Sequence, residues 1–312
     1  MFKKRLHLTT ILVVAITLCS CTGGTKPLSN EPTNVQAKSG RYAIQWEGYL
    51  AGYTDELLTL HLAFVDVLET AAQAPAPQFN ALTLLTDRGE IAAQTSPRTL
   101  SPPGTNYQFF SLSVRLQNLE AGVYNFQRVR FIDEAKQSRE LVVGNWRIEI
   151  LVGTTPPDFK ELGSSVSTSR FNILETRLQN QHTQPVIVAG LAFTLPTTVV
   201  TTTMILAETQ IVSVGQAAGN AQPGLQIVTA SEPVTQVILL PLATEDFTFR
   251  FSTNQQDAFV ALRPMLVYHT EEDATRRYFG LPTQVYSPSF AGAQLTEYLQ
   301  QLPTDAYYAL GI

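Results

Sequence analysis

Apolar residues spaced two apart recur along most of this chain, and that spacing is what most limits its fold. Leu58, Leu60, Leu62 and Phe64 alternate with Thr59, His61 and Ala63; Trp146, Ile148, Ile150 and Val152 repeat the pattern, and Tyr42, Ile44 and Trp46 open it. Successive side chains of a strand point to opposite faces, so a period of two means strands with one buried face. Turn-forming residues separate the runs at 87–90 (DRGE), 101–104 (SPPG) and 133–138. Such regular punctuation gives a sandwich or a barrel. A second series begins after Pro156 and Pro157, which cannot serve a central strand and so mark a domain boundary. Its candidate strands are 170–178, 185–193, 197–214, 225–229, 234–240, 247–251, 259–268 and 278–286, and the tract TTVVTTT at 197–203 strongly favours extended structure. The expected fold is therefore all-β, with β-sandwich domains at 41–154 and 158–290.

The end of the chain, 291–312, reads differently. Leu295, Tyr298, Leu299 and Leu302 fall at i, i+3, i+4 and i+7, one apolar stripe of a short helix that residues 287–289 can cap and Pro303 ends. Tyr307, Tyr308, Leu310 and Ile312 then form a strap lying on the parent domain.

The beginning is an address. Lys3, Lys4 and Arg5 precede a mostly apolar stretch at 6–18, the n-region and h-region of a secretory signal. As helix, that stretch reaches only ~20 Å against a ~30 Å hydrocarbon core, so it is a signal peptide (1–20) rather than a permanent span. Leu18, Cys19, Ser20 and Cys21 follow, and they resemble the lipobox of bacterial lipoproteins, with Cys19 an unusual occupant of its second position. The resemblance implies cleavage before Cys21, lipid attachment to its sulfur and a stable membrane anchor of two or three acyl chains. Thr22 after that position implies release to the outer membrane where the organism has one. Residues 21–40 then read as a flexible tether rich in Gly, Pro, Ser, Thr and Asn, with a root-mean-square span of ~25 Å.

A second resemblance lies in 119–126, LEAGVYNF. Leu119, Gly122, Tyr124 and Phe126, followed by a strand through Ile132 and another containing Trp146, look like the penultimate strand of immunoglobulin-like bacterial surface domains. In those domains a tyrosine two residues before the buried strand position closes a corner with its hydroxyl. Phe126 stands where antibody domains carry a cysteine, so the resemblance implies the architecture without the disulfide. On this basis the two sandwiches in tandem are expected to be immunoglobulin-like.

Candidate chemistry is sparse. Both cysteines, Cys19 and Cys21, lie in the first 21 residues, so maturation leaves no internal disulfide and no unmodified thiol. His61, His182 and His269 are widely spaced, and a metal is not expected on them. No Gly-x-Ser-x-Gly elbow, His-Glu-x-x-His pair or phosphate-binding glycine loop occurs. Residues 215–224 (GQAAGNAQPG) read as a long turn. Glu271, Glu272 and Asp273 lack the spacing of a Ca²⁺ loop and are followed by Arg276 and Arg277, which suits charge compensation in a solvated hairpin. Trp46 and Trp146 alternate with aliphatic residues and read as core rather than as a sugar platform. Without 1–20 the chain keeps 18 bases against 26 acids, a net charge of −8, which disfavours a nucleic-acid partner.

The function expected from these features is a non-catalytic, membrane-anchored envelope lipoprotein acting in surface assembly or in binding another envelope component, without a cofactor. The alternatives are an extracytoplasmic module binding glycan or peptidoglycan, and a hydrolase with its site in the sandwich-end loops. A glycan binder should expose aromatic side chains on one face, whereas a structural module should bury them.

Overall fold

The computed structural model describes residues 37–69, 79–99, 106–133, 136–164, 167–168, 170–213, 225–234, 236–255, 258–290 and 292–310. The signal segment, Cys21 and the tether up to residue 36 lie outside the described residues, as do the turn at 215–224 and Ile312.

The first half holds eight strands: β1 (Gly40–Ala43), β2 (Trp46–Tyr53), β3 (Leu58–Val67), β4 (Asn80–Thr86), β5 (Gly89–Thr99), β6 (Tyr107–Leu116), β7 (Gly122–Ile132) and β8 (Ser138–Leu151). Alternation behaves as the sequence implies: Leu58, Leu60, Leu62 and Phe64 are buried while Thr59, His61 and Ala63 are half-buried. β5 pairs with β4 along its first part and with β6 along its second, so the sheet turns through this one strand and curls around its core. The run Tyr42, Ile44, Trp46 is not one strand. The chain turns at Ile44 and Gln45, and β1 and β2 join different parts of the curled sheet.

The second half adds β9 (Phe159–Ser164), β10 (Ser167–Thr168), β11 (Ile173–Asn180), β12 (Val186–Ala192), β13 (Thr201–Ser213), β14 (Leu225–Val234), β15 (Val237–Leu239), β16 (Thr244–Ser252), β17 (Val260–Arg263), β18 (Met265–Thr270), β19 (Arg277–Gly280) and β20 (Gln284–Tyr286). One sheet runs β14-β13-β16-β11-β9 and another β15-β12-β18-β19. The expected single strands at 259–268 and 278–286 are each divided. Pro264 falls between β17 and β18, and Pro282 between β19 and β20; a proline has no N–H to give a central ladder, so the chain changes sheet there.

The expected tandem of two sandwiches is not confirmed. β17 pairs in parallel with β2, β2 in parallel with β8, and β20 and β10 extend the same sheet beyond β17. One sheet therefore crosses the expected boundary. On β2, Trp46 and Leu50 face the first core while Tyr49, Ala51 and Tyr53 face the second; Ala261 and Val285 face the first, Leu262 and Tyr286 the second. The shared strands are buried on both sides, as parallel pairs usually are. The fold is nearly all β, in layers about this common sheet.

α1 (Gly292–Gln301) begins after the expected cap at 287–289, and Leu295 and Leu299 enter the first core. Pro303 follows it, and β21 (Tyr307–Tyr308) pairs with β1. The strap thus closes on the first half of the chain, not on the half that precedes it in sequence.

Local details fix the β7–β8 pair. Tyr124 is buried, and its hydroxyl donates to the Glu120 carbonyl at 2.9 Å, the corner bond that the resemblance implies. The Phe126 ring stacks on Trp146, its register partner, at 5.8 Å. Tyr124→Phe removes only the corner bond. We expect a loss of about 1 kcal/mol, read in thermal unfolding as a midpoint lower by roughly 2–4 °C for a body of this size; an unchanged midpoint would mean the bond contributes nothing.

Candidate functional site

β7 carries a bulge between Phe126 and Arg128, visible as a register jump against β8, and β4 shifts register between Leu85 and Thr86 beside it. A bulge turns two successive residues to one side. Here Gln127 and Arg128 both face solvent, while Phe126 and Val129 stay in the core. The bulge, the β4–β5 turn and the segment leading to β13 border an open cleft of about 400 Å³, lined by Asp87, Asn125, Gln127, Arg128, Asn145 and Pro196 among others.

The polar groups of this cleft are held in fixed orientations. Glu47 is buried and accepts three hydrogen bonds: its Oε1 takes the Asn145 side-chain N–H at 2.8 Å and the Thr197 hydroxyl at 2.6 Å, and its Oε2 takes the Thr197 amide at 3.1 Å. Asn145 must therefore turn its oxygen outward, where Gln127 Nε2 donates to it at 2.8 Å. Asp87 likewise accepts the backbone and side-chain N–H groups of Asn125 at 2.9 and 2.7 Å, which hold its carboxyl below the usual carboxylate range. Arg128 is paired with Asp305. The lining contains no histidine, lysine, serine or cysteine, and the Thr86 hydroxyl is engaged with Gly89 in the turn. The cleft can bind through hydrogen bonds but places no nucleophile beside a base.

Elsewhere several titratable groups are engaged within the fold. His61 is half-buried opposite Ser113, and burial holds its imidazole below its ordinary value. His182 lies in the turn after β11, and His269 is near the end of β18. Among the described residues no three histidine, cysteine or acidic side chains converge as metal ligands. Asp273 pairs with Arg277 at 3.3 Å, and Glu272 accepts from Gln184. Trp46 and Trp146 are both core residues. Tyr268 is fully buried and donates to Asp158 at 2.6 Å; burial first, then Asp158, pushes its phenol far up.

Glu56 joins the two halves. Its carboxylate accepts from Arg263 on β17 at 2.9 and 3.1 Å, from Thr155 beyond β8 at 2.8 Å and from the Tyr53 amide at 3.0 Å. Burial pushes this carboxyl up, but the guanidinium and the other donors outweigh burial and leave it below the ordinary range. A folded value below the unfolded one stabilises the protein above about pH 4.3, and that contribution is lost as pH falls through the folded value. Glu56→Gln should therefore lower stability at neutral pH and flatten its decline below about pH 4.3, both read in denaturant unfolding at stepped pH. A decline as steep as that of the parent would assign the acid sensitivity elsewhere.

None of the cleft residues stands out by type or motif. The one readable trace is 125–129, NFQRV, where two polar residues in succession interrupt the alternation.

No family model matches the sequence, and no curated protein matches it. Among solved structures, a protein from Corynebacterium diphtheriae described as membrane anchored is 9% identical, with 81% of this chain and 60% of that one covered and a TM-score of 0.23. Fibronectin(III)-like modules of CbhA from Clostridium thermocellum are 7% identical over 80% of this chain and 95% of theirs, with a TM-score of 0.21. CfaE, the adhesive subunit of CFA/I fimbria of enterotoxigenic Escherichia coli, is 10% identical over 80% of this chain and 94% of its own, with a TM-score of 0.19. The chain thus spans less than two thirds of the first of these proteins. Overlaps this slight carry no argument about the arrangement or the activity of this chain.

Proposed function

We propose that this protein is a non-catalytic envelope lipoprotein, anchored through lipid on Cys21, whose folded body binds or organises another envelope component. The observation that carries the reading is where the aromatic side chains lie. Among the described residues every Phe, Tyr and Trp is buried or half-buried, which is what a structural module requires and what a stacking platform for sugars does not. The cleft on β7 supports the same reading, because its fixed amides and ionised Asp87 suit recognition rather than bond breaking. The stretch before residue 37, rich in Gly, Pro, Ser, Thr and Asn, suits a spacer between a lipidated Cys21 and such a body.

The anchor is tested by partition between detergent and water. Wild-type protein from the producing cell should enter the detergent phase, and Cys21→Ser should remain unprocessed or stay in the aqueous phase. Wild-type protein found in water would sink the lipoprotein reading.

A further inference from the structure

The place where the tether enters the body is enclosed by the other end of the chain. β1 is the first strand after the tether, and it is hydrogen-bonded on both sides: Gly40–Ala43 pair with β3, and Arg41 and Tyr42 pair with Tyr308 and Tyr307. Both ends of β1 are also bracketed by C-terminal tyrosines. The Tyr307 hydroxyl donates to the Ser39 carbonyl at 2.7 Å, and the Gln45 amide donates to the Tyr298 hydroxyl of α1 at 3.0 Å. Gly40 leaves open the space that the Tyr307 ring fills: a Cβ there would lie 2.2 Å from a ring carbon.

Arg41 is the bolt of this arrangement. Its guanidinium is buried, forms two hydrogen bonds to the Asp66 carboxylate at 2.8 and 2.9 Å, and donates to the Tyr308 hydroxyl at 2.8 Å. It also lies 4.9 to 5.6 Å from the ring centres of Phe79, Phe110 and Tyr308, within cation–π range. The strap is itself fixed to the first half through Asp305 on Arg128 and through the contact of Tyr308 with Phe131.

We infer that the C-terminal segment is a mechanical latch, which locks the tethered strand into the body so that a pull on the anchor does not draw β1 out. The inference rests on the anchored reading above for its purpose, though not for its geometry. A pull along a strand paired on two sides must shear both ladders together and extract the Arg41 guanidinium from its carboxylate and rings. Without β21 the strand has one ladder, and the guanidinium loses one ring and one hydroxyl. Forced unfolding follows the barrier on the unfolding path, so the latch belongs in rupture force more than in thermal stability.

The test pulls the mature chain, residues 21–312, produced without lipid so that Cys21 serves as one handle. A second handle is placed by Val152→Cys, at a side chain 83% exposed. The parent should show a high-force rupture. Tyr307→Ala/Tyr308→Ala should lose that event, whereas Tyr124→Phe, which weakens the body away from β1, should keep it. A rupture force unchanged in the strap variant, or reduced equally in Tyr124→Phe, would overturn the latch. Should the double variant not fold, Tyr307→Phe removes only the bond to Ser39 and should lower the force by a smaller step; no step would also overturn it. Because pulling uses unlipidated protein, failure here is separate from failure of the anchor, which detergent partition reads.

Discussion

Asp66→Ala is expected to destabilise the protein by about 3–5 kcal/mol, because it leaves a buried guanidinium without its counter-charge. Arg41 is 2% exposed and Asp66 fully buried, so water cannot replace the lost carboxylate. A loss of that size is a large part of the roughly 5–15 kcal/mol that holds a typical domain together. It should appear in denaturant unfolding as a strongly lowered midpoint. The companion variant is Arg41→Met/Asp66→Leu, which removes both charges and keeps apolar volume. Because taking two charges out of water is costly, the double variant should be more stable than Asp66→Ala alone. A double variant that is worse than the single would mean the ring contacts around Arg41, rather than the charge balance, hold the site.

Gly144→Ala should be comparably severe, for a steric reason. Gly144 sits at φ +96°, a conformation that L side chains rarely adopt, within the register jump of the β7–β8 ladder and at the point where β8 begins to pair with β2 as well. A Cβ at this position would stand 2.1 Å from the Trp46 nitrogen and 2.2 Å from the Trp46 oxygen, and these are backbone atoms of the shared sheet. The backbone conformation alone costs about 1–3 kcal/mol, and overpacking against a paired strand adds about 1–3 kcal/mol or more. Gly153→Ala is the matched control. Gly153 has φ +108° but nothing within 4 Å of its Cβ position, so its variant should show only the first of the two costs. Equal losses at 144 and 153 would mean that β8 can move away from β2 freely.

Strands with one wet face were readable from their alternation, and strands covered on both faces showed none. β3 announces itself because Thr59 and His61 separate its leucines. β2, WEGYLAGY, shows no such alternation because both of its faces are covered, and β17 falls within the expected strand 259–268 without any sign that it joins a different sheet from β18. Their pairing joins residues more than two hundred positions apart, as the contact of Arg263 with the Ala51 carbonyl shows, and no local pattern encodes it. Tyr124 was legible because its corner is local: donor and acceptor are four residues apart. The prolines at 156–157 do punctuate the chain, yet a punctuation mark does not say whether later strands return across it. Nor could the cleft be foreseen, since Gln127, Asn145 and Glu47 meet only through a bulge and a shared sheet.

That sheet also governs how the chain can acquire its structure. Synthesis delivers the N-terminal part first, and domains ordinarily fold as they emerge. Here one edge of β2 waits for β17, and β1 waits for Tyr307 and Tyr308, with Arg41 and Tyr308 267 positions apart. The first core therefore cannot be completed until the segment through Tyr308 is available. Such distant pairings make for slow folding and a long-lived precursor with exposed strand edges. A body that closes only when Tyr307 and Tyr308 reach β1 stays unfinished, and so open to chaperones and to threading through a pore, for as long as that segment is withheld.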